Sequence, residues 1–260
     1  MTRHIIISVV AIFACLMARA EAMTLAQQAD SAYNNNDYYA AVGLYHQAMN
    51  KEGSSAQLYY NLANSYYRIG KLGKSVLYYN RALAIDPSMD DARANLEFVN
   101  KQIIDKPDDE STFLGSVHRS IMRVMSPDAW AWTTFGLFVL LLAAAALYIF
   151  SGSIALRKLG FFGGFVLVVF FVYALVIAAQ ASSLPYDHSR AVVVTPTSNF
   201  STSPGNREEG SKIIPVHEGT VVEIVDSITL PDQSASPLWY EVKINSSTRV
   251  WARSTDLEKI

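Results

Sequence analysis

Four textures of hydrophobic and polar residues succeed one another along the chain, and each predicts a different structure. Over residues 29–101 apolar and aromatic positions recur at helical spacing, broken at Asn36, Gly53, Gly70 and Pro87. That is the pattern of short paired helices. Residues 129–156 and 159–186 contain no charged side chain. Their most apolar parts, 132–150 and 161–179, would each reach about 28 Å as a helix, close to the hydrocarbon thickness of a bilayer. After Pro185 come short runs of β-branched and aromatic residues: AVVVT (191–195), KIIPV (212–216), TVVEIVDS (220–227), WYEVKI (239–244) and TRVWAR (248–253). In the fourth run Tyr240, Val242 and Ile244 alternate with Glu241 and Lys243, as in a strand with one buried face.

The helical region repeats itself. Ala29, Tyr33, Asn36, Tyr38, Ala41, Tyr45 and Ala48 superimpose on Ala63, Tyr67, Gly70, Leu72, Ser75, Tyr79 and Ala82 at a constant offset of 34 residues. This resembles the tetratricopeptide repeat (TPR), whose period is the same. Small residues at 29, 41 and 48, and at 63, 75 and 82, permit close approach of the two helices of a pair. Gly70 suits a left-handed residue ending the first helix, and Asn36 is the next-best choice. The repeats are placed at 22–55 and 56–89, and DARANLEFVNKQI begins a closing helix at 90–104. Such a helix covers the exposed apolar end of an array. The TPR domain is thus 23–104.

In the TPR family the first helix of each pair lines a concave face that binds a peptide or partner helix. The matching positions here are Tyr33, Asn34, Tyr60, Asn64, Tyr67, Arg68 and Lys101. Arg68, Asn64 and Lys101 resemble part of a cluster that holds a peptide carboxylate in some TPR domains, but no lysine precedes them in the first repeat. Three readings stand: a partial carboxylate clamp, a mixed aromatic and polar protein-binding surface, and a solvated face that only aids packing.

The first 22 residues read as a secretory signal peptide. Arg3 and His4 precede an apolar run at 5–17, and A-x-A sites occur next at Ala18/Ala20 and Ala20/Ala22. A lipoprotein signal acylated at Cys15 and a retained anchor are the other readings, and all three export the TPR region. Cys15 is the single cysteine in the sequence. Removal of the signal would leave no thiol for disulfides, zinc or nucleophilic catalysis.

Export of the TPR array, one span inward and a second outward together predict an inner-membrane protein. Its helices cover 129–150 and 161–181, with a cytoplasmic loop at 151–160. Arg157 and Lys158 in that loop agree with the positive-inside rule, whereas Arg119 and Arg123 fall outside. Residues 105–128 read as a linker and then an amphipathic helix. Its polar positions are Thr112, Ser116, Arg119, Ser120 and Arg123, and its apolar positions are Phe113, Val117, Ile121 and Met125. That helix lies on the bilayer surface or is buried in the array. Gly163 and Gly164 are the glycines expected to let the two spans approach closely.

The five β runs predict a small barrel at 188–260. The order HEGTVVEIV, WYEVKI, VWA and DLEKI resembles bacterial SH3-like domains, although Ser247, Thr248 and Arg249 stand where that family carries a glycine. Trp239 and Trp251 read as barrel core and rim. The fold class is therefore a multidomain membrane protein: all-α TPR repeats, two transmembrane helices and a small all-β SH3-like barrel. That order, with SPDAWAW, AVVVTPTSNFSTSP and HEGTVVEI, resembles the BatE family of aerotolerance-operon proteins. The resemblance implies partners among von Willebrand A-type membrane proteins and other Bat components, including a MoxR-type AAA+ ATPase.

The remaining chemistry narrows the function. A formal net charge of −2 points away from bulk nucleic-acid binding. His46, His118, His188 and His217 are scattered, and no metalloprotease, nucleophile-elbow, Walker or dinucleotide motif occurs. No enzyme activity, cofactor or metal is expected. The reading is a scaffold that binds protein partners through an exported TPR array and contacts membrane lipid. Peptidoglycan binding by the SH3-like domain is the alternative.

Overall fold

A computed structural model describes residues 23–105, 112–206, 211–229, 238–245 and 248–260. The signal segment at 1–22, Cys15 included, lies outside the described residues, as do 106–111 of the linker and Ser247. The chain divides into two compact units, Met1–Gly53 and Ser54–Ile260.

The first unit is a helical hairpin of α1 (Leu25–Asn34) and α2 (Tyr38–Glu52). Thr24 opens α1 with a reciprocal capping box: its hydroxyl accepts from the Gln27 N–H, and the Gln27 side chain accepts from the Thr24 N–H. Asn36 turns the chain with a left-handed φ of 63°. Asp37 then caps α2 by accepting from the Ala40 N–H at 3.1 Å. Ala29, Ala41 and Ala48 are fully buried, and the Tyr45 hydroxyl donates to Asp30 Oδ1 at 2.5 Å.

The second unit begins with the same device, 34 residues on. Helices α3 (Ala56–Arg68) and α4 (Leu72–Ile85) are joined through Gly70, whose φ is 74°. The turn hydrogen bonds correspond one for one: Asn36 N–H to Tyr33 O and Asp37 N–H to Ala32 O, then Gly70 N–H to Tyr67 O and Lys71 N–H to Tyr66 O. Ala63, Ser75 and Ala82 are fully buried, like their counterparts. The Tyr79 hydroxyl donates to Asn64 Oδ1, repeating the Tyr45–Asp30 bond. Helix α5 (Asp90–Asn100) packs on α4 and starts with Asp90 and Asp91, acids that suit the positive end of a helix.

Helix α6 (Phe113–Met122) precedes two long helices, α7 (Pro127–Phe150) and α8 (Ile154–Ser183), which pack against each other. Both are long and apolar enough to cross a membrane, with mean hydropathies of 2.2 and 2.7. They bury little inside the protein, as is seen from exposed Phe135, Leu142, Phe165 and Phe170. Two local expectations change. Gly160 sets the close approach: a Cβ there would lie 2.7 Å from Ala144 O and 2.8 Å from Tyr148 N. Gly163 faces open space, and a Cβ on Gly164 would meet Ala144 Cβ only at ordinary contact distance. The glycine that matters lies one turn earlier because the helices are already adjacent near their connection. That connection is also shorter than 151–160, since α8 starts at Ile154 and takes Arg157 and Lys158 into its first turns. Nothing in ALRKL breaks a helix, so it continues past the apolar run.

A short 3₁₀ turn at Leu184–Tyr186 leads into an antiparallel sheet. Its strands are β1 (Arg190–Val193), β2 (Thr197–Ser201), β3 (Ile213–His217), β4 (Val221–Ile228), β5 (Trp239–Lys243), β6 (Arg249–Arg253) and β7 (Leu257–Lys259). They lie in the order β3-β2-β6-β5-β4-β1-β7, without a ladder closing β3 to β7 among the described residues. The core includes Val193, Phe200, Val222, Val242, Val250 and Leu257. Tyr240 and Ile244 pack against it on the same face as Val242, in the alternation read for that strand. The register of β4 on β5 shifts between Ile224 and Asp226, a bulge that bends the strand. Trp239 is buried and Trp251 half-buried.

Strands β2 and β7 are additions to the five apolar runs. β2 reads TSNFS, too polar to signal a strand, yet Ser198, Phe200 and Ser201 are buried. β7 has three residues, and its partner is β1.

Candidate protein-binding face

The first helices of TPR pairs carry the candidate face, and the two units present it separately. In the first, Tyr33 is half-buried and its ring meets Tyr38 edge-on at 5.2 Å, while Asn34 is exposed. In the second, the remaining candidates lie on α3 and just beyond α5.

Asn64 has an internal task. Its Oδ1 accepts from the Tyr79 hydroxyl of α4 and, at 3.0 Å, from the Asn95 Nδ2 of α5. The same Asn95 amide reaches the Tyr60 hydroxyl at 3.3 Å. One amide network thus ties three helices together. Its polar atoms serve packing specificity. Tyr67 lies edge-on to Phe98 at 5.7 Å, and its hydroxyl accepts from Gln102 Nε2 at 3.3 Å. Phe98 is 54% exposed, with one face of its ring open beside Tyr67. Lys101 pairs with Glu97 one turn back at 2.9 Å, with both side chains well exposed, so the pair contributes little to stability. Arg68 is exposed at the end of α3.

The outward part of this surface is therefore Tyr67, Arg68, Phe98, Lys101 and Gln102. It offers two rings, two cations and an amide. Phe98 and Gln102 are not among the sequence candidates. They lie on and just after α5, a segment whose sequence signals only a cover. The available signal is their spacing of three residues from Asn95 and Val99.

The opposite side of the α3–α4 hairpin is occupied by the sheet. Helix α4 is buried on several faces, with Val76, Leu77, Tyr78 and Tyr79 all inside. Gly73 is pressed against the sheet: a Cβ there would lie 2.7 Å from Val193 O and 3.2 Å from Gly219 N. The Gly73 N–H donates to the Glu218 carboxylate at 2.9 Å. Lys74 pairs with Glu258, and the Arg81 guanidinium donates to Lys259 O at 2.5 Å while standing over the Tyr78 ring.

Glu218 matters because α4 has no cap of its own. Lys71 occupies its N-cap position and makes no capping bond, whereas the equivalent Asp37 caps α2. The second repeat takes its missing cap from the β3–β4 turn, where Glu218 also places a negative charge at the positive end of the helix. A second tie lies beside it. Asp105, after α5, accepts from the His217 N–H at 2.7 Å and the Thr220 hydroxyl at 3.0 Å, with the His217 ring at 3.3 Å. Burial pushes the Asp105 carboxyl upward, but these hydrogen bonds together outweigh it and hold it below its ordinary value. Gly219, with φ of 91°, lets the turn close: a Cβ there would lie 2.6 Å from Ile103 Cγ2.

Tyr78 lies at the centre of this contact. Its ring stacks on Tyr66 at 5.4 Å and 5°, and Tyr59 approaches at 5.8 Å. Burial pushes its hydroxyl up to about 12, against the lowering effect of Arg81. Burial, with Glu258 nearby, also raises Tyr66.

A cavity of about 490 Å³ opens elsewhere, between the C-terminal half of α4, the turn after α8 and β7, and none of the seven candidate residues lines it. Among the described residues no group of three or more His, Cys, Asp or Glu side chains is placed to hold a metal ion.

Residues 56–89, which contain the α3–α4 hairpin, match the tetratricopeptide repeat family. The chain is also 34% identical over 73 residues to the Protein SGT1 homolog of Oryza sativa subsp. japonica, an overlap covering 28% of this chain and 20% of the rice protein. The chain thus spans about a fifth of the length of that curated relative. The tetratricopeptide repeat is generally a non-catalytic protein-interaction unit, and this chain carries one match to it, at 56–89.

Proposed function

We propose that this chain is a non-enzymatic membrane scaffold that grips protein partners through the outward surface of α3 and α5. The observation that carries the reading is the contrast between the two sides of the repeat. One side of α4 is filled by the chain's own sheet, while Tyr67, Arg68, Phe98 and Lys101 stand outward on the face that TPR arrays use for partners.

The finer reading rests on the order of the parts. Helices α7 and α8 are two spans of an inner membrane, set with the TPR and SH3-like domains in the periplasm and the short α7–α8 connection in the cytoplasm. The scaffold belongs to a BatE-like complex with von Willebrand A-type membrane proteins. Apolar length and composition of α7 and α8 support the spans, and the β core supports an SH3-like reading of 188–260.

The test is photo-crosslinking of the full chain in its native membrane, with the reactive residue at Phe98. The expected adduct contains a von Willebrand A-type membrane protein and is lost in the Arg68→Glu/Lys101→Glu variant. Labelling by lipid or water alone, or an adduct unaffected by the double charge reversal, overturns the reading.

A further inference from the structure

The surface of α6 is the part of the molecule whose chemistry is least explained by a scaffold. The sequence makes the helix amphipathic, but its apolar arc serves two different surroundings. His118, Ile121 and Met122 bind it to the two long helices. The His118 ring contacts Gln180 Oε1 at 2.6 Å through Nε2 and lies edge-on to Tyr173. Ile121 and Met122 pack on the cluster of Trp130, Ala174 and Ile177, and the Trp130 indole N–H donates to Met122 O at 3.2 Å. Among the described residues, the other half of the arc packs on no such cluster. Phe113 is 80% exposed, Leu114 78% and Val117 40%, and no residue of the helix is buried.

Three adjacent large apolar side chains left in water forgo the stabilisation that covering each of them would bring. The surface they form is continuous with that of α7 and α8, because α6 is fastened to both of those helices. Trp132, 73% exposed, marks the same end of the pair. Indole rings favour the boundary between headgroups and hydrocarbon. Arg119 stands on the arc opposite the apolar ridge with Ser116 beside it, and Ser120, seven residues after Phe113, borders the ridge, the arrangement of a helix lying in an interface.

We propose that α6 is a fixed interfacial collar whose ridge of Phe113, Leu114 and Val117 is covered by phospholipid acyl chains, in the leaflet beside Trp130 and Trp132. This rests on the reading of α7 and α8 as membrane spans. The collar is locked to the spans by His118 and Trp130, so it marks the depth at which the pair sits.

The experiment uses the full chain with Cys15→Ser, in vesicles of phosphatidylethanolamine and phosphatidylglycerol. Single spin labels are placed through Leu114→Cys, Val117→Cys, Ser116→Cys, Arg119→Cys and, in α7, Leu140→Cys. Relaxation by oxygen reports hydrocarbon, and relaxation by a nickel chelate reports water. At Leu114 and Val117 the expected result is oxygen contact with loss of chelate contact, while Ser116 and Arg119 stay open to chelate. Chelate reaching all four sites of α6 equally overturns the collar, with a Leu140 label still in hydrocarbon showing that the spans stand. Shielding of Leu114 and Val117 from both reagents overturns it in favour of a protein cover. Chelate contact at Leu140 overturns the span reading itself, and the collar with it.

Discussion

Removing the Glu218 side chain should loosen the start of α4, although the two are 145 residues apart in sequence. In Glu218→Ala the Gly73 N–H loses its acceptor, and no local side chain takes over because Lys71 stands at the N-cap. Loss of an N-cap costs about 1 kcal/mol. One kcal/mol corresponds to about a fivefold change in an opening equilibrium. Amide exchange at Gly73, Lys74 and Ser75, measured by mass spectrometry on the full chain in detergent, should therefore quicken about fivefold. Exchange at the start of α2, capped by its own Asp37, should not change. Glu218→Gln keeps an acceptor and loses only the charge, so its effect should be smaller, near the 0.3–1 kcal/mol of a charge at a helix end. The decisive variant is Glu218→Ala with Lys71→Asp, which rebuilds in the second repeat the cap of the first. It should bring exchange back toward wild type. Unchanged exchange in Glu218→Ala, or no recovery with Lys71→Asp, refutes the reasoning.

Other consequences can be measured alongside. Gly73→Ala should destabilise the second unit by about 1–3 kcal/mol, since its Cβ would press on two backbone atoms. Gly43→Ala in α2, where the Cβ meets nothing, should stabilise by about 0.5–1 kcal/mol, and thermal melts of both variants give the signs. Asp105 has a lowered folded pKa, so its contribution is complete above the unfolded value near 3.9 and disappears as pH falls through the folded value. Wild type should lose stability against Asp105→Asn only in that acid range, as read from denaturant midpoints against pH. Gly160→Leu should push α7 and α8 apart, while Gly163→Leu should be tolerated. Disulfide yield between Phe138→Cys and Phe171→Cys, whose native rings are 6.0 Å apart, reports the separation.

The repeat is legible in the sequence because two copies of one hairpin obey the same local rules. Asn36 and Gly70 are the residues that tolerate a left-handed turn, and alanines mark where the helices touch. The two long helices are legible from the absence of charge alone. What sequence does not display is the contact between remote parts. Gly73 looks like a weak helix residue until Val193 O is placed beside it, and Glu218 looks like an ordinary turn acid until Gly73 is found to donate to it. Lys71 opposite Asp37 is a visible departure, but its meaning needs the partner that compensates. β2 escapes because Thr, Ser and Asn resemble a turn after Pro196, and its place depends on ladders to β3 and β6. Asn64 stands out in the sequence as a neighbour of Arg68 on one helix face, while in the fold Tyr79 and Asn95 take its oxygen.

Helix α8 runs for 30 residues against 24 in α7, a difference of about 9 Å at the helical rise. Its far end passes through one tight turn, packed on α4, straight into the first strand. A bilayer that grows thinner than the apolar run of a spanning helix makes that helix lean, and α8, on the membrane reading proposed above, would lean with it. With so little slack above it, such a lean would be transmitted as a swing of the sheet and of the hairpin clasped to it. Under that proposed membrane reading, the sheet and the hairpin would respond to membrane thickness without any ligand.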